Sequence, residues 1–187
     1  MAGHTKAELE RVLQTAVLLH DAAAVHLALD RMADAISAEL ADTHPVVLCV
    51  LTGGIIPTGH LLTRITFPLE IDYLHATRYR GSTEGEQVQW VCRPGTRLEG
   101  RTVLIVDDIL DEGHTLADIL TFCRNAGAAQ VYSAVLAEKQ HARRADAITA
   151  DFTGLHVEDR YVFGFGMDYK GHFRNLDGIY AVRNTRP

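Results

Sequence analysis

The stretch from Val103 to Leu116 constrains this chain more than any other. A continuous apolar run of strand length, Val103 to Val106, gives way to two adjacent carboxylates, Asp107 and Asp108. A short loop with Gly113 and Thr115 then opens a helical pattern, with Leu116, Ile119, Leu120 and Cys123 at i, i+3, i+4 and i+7. The pattern predicts a strand-loop-helix unit with acids at the strand's C-terminal end and unpaired helix amides just beyond them. Such amides, at the positive end of a helix dipole, bind phosphate. Paired carboxylates bind sugar hydroxyls or Mg2+. An Asp pair after a strand also caps a turn; what adds chemistry here is Asp111 and the small or polar segment running to Thr115.

With 187 residues, 47% of them hydrophobic, the chain is long enough for one well-buried core, and a single domain over 1–187 is expected. No apolar run approaches the roughly 20 residues that span a bilayer, and no basic-then-apolar export signal opens the chain, so a cytoplasmic protein without a membrane partner is expected. A net charge of -6 without a long basic run argues against a nucleic-acid surface. An anionic ligand would then be held locally, by amides, Mg2+ and a few basic side chains. Cys49, Cys92 and Cys123 have no zinc-ligand spacing, and Cys49 and Cys123 read as core thiols. The ten histidines are scattered and read as surface or packing residues.

Thr5-Lys6-Ala7-Glu8 fits a capping box before Leu9, Val12, Leu13 and Ala16, and a second helix from about Asp21 to Ala41 aligns Leu29, Met32, Ile36 and Leu40. These N-terminal helices, spanning 5–41, read as core-covering or subunit-contact elements. Val46 to Leu51 is a buried strand running into Thr52-Gly53-Gly54, where glycines admit close backbone approach, and Pro57 then starts a helix. Leu69 to Tyr73 begins a strand, Gln87 to Cys92 is another, and between them lies a polar, glycine-rich hairpin; the lid reading covers about 75–92. Val131 to Ala137 forms the next strand, followed directly by Lys139. Alternating strands and helices imply right-handed crossovers and a mainly parallel, twisted α/β sheet flanked by helices. Ligands of such sheets sit at the strands' C-terminal ends, which puts Gly53, Asp107 and Lys139 on one edge. Last comes Asp159 to Asn175, rich in aromatics and glycine, in which Phe163 and Phe165 read as core.

The Val103–Leu116 stretch resembles the phosphoribosyl-diphosphate (PRPP) binding motif of the type I phosphoribosyltransferases, and most of the chain resembles their hypoxanthine-guanine branch. The resemblance implies that fold, with a flexible lid hairpin and a small purine hood at about 156–180. It implies that Asp107 and Asp108 hold the ribose hydroxyls, directly or through magnesium waters. Asp111 is the base that removes the purine N7 proton. Amides of Glu112, Gly113, His114 and Thr115, with the Thr115 hydroxyl, hold the 5′-phosphate. Glu112 stands where many relatives have a small hydroxyl residue, so its side chain is expected to point away. Leu51-Thr52-Gly53-Gly54 matches the pyrophosphate loop, in which a non-proline cis peptide exposes backbone N–H groups; Thr52 replaces a basic residue found in many relatives. Arg78, Tyr79 and Arg80 match the lid, with Arg78 where a serine is usual. Lys139 matches a donor to the purine 6-oxygen, Tyr161 an aromatic that stacks on the base, and Val162 a backbone reader of the base edge. Asp168 matches an acid near the base and a second metal site, and Arg174 an arginine directed at pyrophosphate.

The activity so implied is phosphoribosyl transfer from PRPP to hypoxanthine or guanine, with Mg2+ and release of pyrophosphate, in a homodimer or homotetramer. A PRPP- or nucleotide-binding regulatory protein of the same fold and a xanthine-preferring transferase remain the alternatives. A receiver domain is disfavoured, because its acidic pair would follow the first strand.

Overall fold

The computed structural model describes residues 5–78, 88–141 and 148–183. Its centre is a six-stranded sheet in the order β4-β3-β2-β5-β6-β7, built from β2 (Val46–Leu51), β3 (Glu70–Arg78), β4 (Val88–Cys92), β5 (Thr102–Leu110), β6 (Gln130–Gln140) and β7 (Phe152–Glu158). All neighbours are parallel except the edge pair β3/β4. The central strands are apolar without alternation because both sheet faces are covered. In β5, Leu104 and Val106 join the core beneath α2 (Ala22–Leu40), while Val103 and Ile105 join the core beneath α4 (His114–Asn125).

The stripe read from the sequence seats α2: Leu29, Met32, Ile36 and Leu40 are all buried. Asp21 caps it, accepting from the Ala24 amide at 2.8 Å. The four apolar residues read for α4 are likewise its buried set. In contrast, α1 (Lys6–Thr15), capped by Thr5, buries no residue, so it is not a core-covering helix. Between α1 and α2, where the sequence reading placed no element, the chain forms β1 (Val17–Asp21). β1 pairs with β9 (Gly178–Ala181), which pairs with β8 (Val162–Phe163), giving a small antiparallel sheet. That sheet shares the core of α2 through Val162, Ile179 and Ala181.

Three boundaries differ from the sequence reading. The β5 ladder continues past the acidic pair to Leu110, because pairing with β6 persists as far as Leu110↔Glu138. β6 runs on to Gln140, so Lys139 lies within the strand rather than after it. α3 (Ile55–Leu62) starts two residues before Pro57, which sits in the first turn where its missing N–H costs no helical bond. β3 and β4 pair as the two legs of the expected hairpin, with Arg78↔Val88 in register. Tyr79 and Arg80 lie outside the described residues.

Strand order reverses between β2 and β5: the chain goes from β2 outward to β3, and from β5 to the opposite side through β6 and β7. Their C-terminal ends therefore diverge into a crevice. Gly166, at φ +106°, packs against this point, and a Cβ there would collide with the Gly53 carbonyl oxygen. Gly166→Ala is expected to lower stability by at least about 1–3 kcal/mol in denaturant unfolding, the usual cost of a side chain in that backbone region. Gly59→Ala, in α3 with nothing within 4 Å of the new methyl, should instead gain about 0.5–1 kcal/mol.

Candidate active site

The crevice between β2 and β5 opens into a cavity of about 520 Å³. One wall is Leu51-Thr52-Gly53, with a cis Leu51-Thr52 peptide bond as the sequence resemblance implied. The opposite wall is the segment from Asp107 to Thr115, and Asp168 and Arg174 close a third side. Gly53 lies so close to Asp108 that a Cβ would overlap its carboxylate, while at Gly54 a Cβ would lie 2.6 Å from the Val50 carbonyl oxygen and 2.7 Å from that of Val106. Both glycines of the loop are thus required by close approach.

The acidic pair is electrostatically uneasy. Burial pushes both carboxyls up, Asp107 well above the ordinary carboxylate range, and the Asp108 charge beside Asp107 raises it further. The Asp108 amide donates to Asp107 Oδ1 at 2.8 Å. Arg174 restrains Asp108: its Nη1 is 3.7 Å from Asp108 Oδ2, and its other terminal nitrogen is 2.6 Å from Asp168 Oδ1. The same guanidinium donates to the Gly166 carbonyl at 2.6 Å. Arg174 therefore ties the hood segment to β5, and its planar fork lies on the cavity wall.

Asp111 follows β5 directly and meets the end of β6. Lys139 Nζ is 2.6 Å from Asp111 Oδ2, and His141 Nε2 is 2.7 Å from Asp111 Oδ1. Burial raises the Asp111 carboxyl, but the hydrogen bonds and charges of Lys139 and His141 outweigh it, so the net shift is downward. His141, read from the sequence as one of many packing histidines, is a residue at this site that reading missed; its side chain is only 4% exposed. The signal was its spacing, two residues beyond Lys139 and so on the same side of an extended chain.

Gly113, at φ +87°, stops the loop and caps α4. The first-turn amides of α4 have no intrahelical acceptor and face the cavity wall formed by residues 112–115. Glu112 is half exposed, with its carboxylate 4.0 Å from His114 Nε2. Tyr161 and Val162 do not line this cavity. Tyr161 is 49% exposed and meets the Tyr169 ring edge-on at 5.4 Å, while Val162 is buried and pairs with Ala181. The Arg78 side chain, with Tyr79 and Arg80, lies outside the described residues. Cys49, on β2 near the acidic pair, and Cys123 are buried as expected, and burial pushes the Cys123 thiol up to about 11.

Among the described residues no three His, Cys, Asp or Glu side chains gather into a metal cage. Two adjacent carboxylates on a cavity wall nevertheless fit a hard divalent cation that keeps waters and takes further oxygens from a bound phosphate. Such a charge would also relieve the repulsion between Asp107 and Asp108. Asp168 could join only by sharing its carboxylate with Arg174.

Residues 18–170 match the phosphoribosyl transferase domain. The chain is 35% identical over 149 residues to a hypoxanthine-guanine phosphoribosyltransferase of Bacillus subtilis, covering 79% of this chain and 82% of that one. It is 33% identical over 144 residues to a hypoxanthine-guanine-xanthine phosphoribosyltransferase of Tritrichomonas foetus, covering 77% and 79%. A hypoxanthine phosphoribosyltransferase structure from Staphylococcus aureus superposes with a TM-score of 0.85 at 26% identity, covering 96% of this chain and 97% of that one.

The strained acidic pair predicts a stability gain on neutralisation. Asp107→Asn should raise the thermal midpoint of the protein in chelator at pH 7, because the folded state no longer bears a buried, repelled charge. A carboxyl raised by folding weakens stability as pH climbs from its unfolded toward its folded value. The gain should therefore grow as pH rises above about 4 and vanish below it, where the unfolded carboxyl is protonated too. A lower midpoint at pH 7 would contradict the electrostatic account.

Proposed function

The chain belongs to the phosphoribosyl transferase family, in its hypoxanthine-guanine branch, and we propose that it transfers the 5-phosphoribosyl group of PRPP to hypoxanthine or guanine, forming IMP or GMP and pyrophosphate in purine salvage. The observation that carries this reading is the shared crevice: acidic pair, α4 amides and pyrophosphate loop line one cavity, and Lys139 rests against Asp111 at its edge. One domain serves both substrates in this assignment.

Asp107 and Asp108 hold the ribose hydroxyls. The amides of residues 112–115 and the Thr115 hydroxyl hold the 5′-phosphate, and Glu112, half exposed beside His114, keeps its charge aside. Thr52, Gly53 and Gly54 present backbone to pyrophosphate, and Arg174 adds a cation at the same wall. Asp107, Asp108 and Asp168 would hold Mg2+, which when bound would supply charge neutralisation for the departing pyrophosphate. The sequence resemblance assigns base stacking to Tyr161 and base-edge reading to the Val162 backbone, both in the hood and outside the cavity lining. The sequence resemblance assigns Arg78, Tyr79 and Arg80 to a lid that would exclude water from the ionising sugar, although the Arg78 side chain, Tyr79 and Arg80 lie outside the described residues.

The reaction breaks the bond from C1′ to pyrophosphate, which leaves with the electron pair, and forms a bond from C1′ to purine N9. As N9 attacks, Asp111 takes the N7 proton and the N7–H electrons return to the ring. Lys139 couples recognition to this step. While it donates to Asp111 it depresses that carboxyl; once it turns to the purine 6-oxygen, Asp111 becomes a better base. A cationic donor there favours a 6-oxopurine and leaves adenine's amino group poorly paired.

The protein is assigned to the cytoplasm; among the described residues no helix is long and apolar enough to cross a membrane. A homodimer or homotetramer is supported by exposed apolar side chains on the β3–β4 edge, Ile71, Tyr73 and Val91.

Pyrophosphate release from PRPP and Mg2+ with each of four purine bases tests the function: turnover is expected with hypoxanthine or guanine. Turnover with adenine alone would overturn the Lys139 assignment, and preference for xanthine would reassign the base. Silence with all four would favour a PRPP-binding regulatory protein. Asp111→Asn should keep PRPP affinity within a few-fold in calorimetry while lowering turnover by about 10²–10⁴, the usual worth of a positioned base.

A further inference from the structure

Asp111 presents two carboxylate oxygens, and each meets a different β6-end side chain: Oδ2 meets Lys139 Nζ at 2.6 Å and Oδ1 meets His141 Nε2 at 2.7 Å. An ionised carboxylate only accepts, so the Nε2 of His141 carries the hydrogen. The register explains the arrangement. Leu110 is opposite Glu138 in the parallel pair, so the next residue, Asp111, comes up beside Lys139, and His141 follows on the same side two residues later.

The two donors cannot have the same task. If Lys139 turns to the purine 6-oxygen, as the functional reading requires, Oδ2 loses its partner and becomes the oxygen that can take the N7 proton. A carboxylate released by its only anchor would swing about its side-chain torsions, and a base must stay within hydrogen-bond reach of its proton. His141 is placed to prevent this. Its side chain is 4% exposed, against 13% for Lys139 and 41% for Asp111, so it is the most enclosed member of the three.

We propose that His141 is a positioning residue: it keeps its hydrogen bond to Asp111 Oδ1 throughout the cycle and so aims Oδ2 at purine N7 while Lys139 exchanges from Asp111 to the base. This rests on the transferase reading given above. His141 neither touches substrate nor gives up its Nε2 hydrogen; the N7 proton goes to Oδ2 and the N7–H pair to the ring.

The test compares His141→Leu, which removes the donor, with His141→Gln, whose amide nitrogen can reach the place of Nε2. Single-turnover nucleotide formation isolates chemistry from product release. His141→Leu should slow it about 10- to 100-fold, the usual range for removing an orienting partner, with KM for PRPP and base within about threefold. His141→Gln should recover to within about fivefold of the unaltered chain. Equal losses in the two variants, or an unchanged rate in His141→Leu, would overturn the proposal. A second readout needs neither activity nor a variant at 141: in the 15N-histidine-labelled protein, a protected Nε2–H resonance should be present and lost in Asp111→Ala. Its absence, or persistence in Asp111→Ala, would also overturn it. Failure of the transferase reading is distinguishable, because the unaltered chain would then form no nucleotide with any purine, and the proposed role would fall with it.

Discussion

The close approach of two loops at the point where strand order reverses is the constraint on which everything else depends. β2 and β5 lie side by side and parallel, but their chains leave in opposite directions across the sheet. The backbone after β2 comes within contact distance of Asp108, and the hood segment at Gly166 closes on the Gly53 carbonyl. Only glycine fits at these contacts, because a methyl would have to occupy space held by a carboxylate or by backbone.

Packing charge into that narrow place has a cost that the surrounding structure offsets unevenly. Asp107 and Asp108 are buried beside each other, and among the described residues Arg174 is the cation that offsets their charge. That cost is one the divalent cation and phosphorylated sugar proposed for the site would relieve. Asp111 is the opposite case, with donors on both oxygens and a carboxyl shifted down. The two kinds of carboxylate, three residues apart, are separated by what β6 and the hood place against them, and the division suits one pair for binding and one acid for proton transfer.

How much was legible follows from where each signal resides. The helix faces of α2 and α4 were read residue by residue, because a 3.6-residue stripe records the core it will meet. Thr5 and Asp21 behave as local caps. β1 was missed: its five residues carry no clear alternation, and their partner, β9, lies more than 150 positions along the chain. The ends of β5 and β6 were placed early because charge usually marks a strand's exit, whereas here ladder pairing carries Asp107, Asp108 and Lys139 inside. His141 was passed over because a histidine's role depends on what faces it, which a sequence does not record.

The sequence by itself determined the parallel α/β class, the strand-loop-helix unit around Asp107 to Thr115 and the family, since each is written in contiguous residues and local periodicity. Tertiary structure alone decided that Arg174 spans Asp168 and Asp108, that Gly166 seals Gly53, and that His141 and Lys139 divide the two oxygens of Asp111. Apart from Arg174 with Asp168, those are meetings between segments tens of residues apart, and they are fixed by sheet register and crossover direction, which no local pattern encodes.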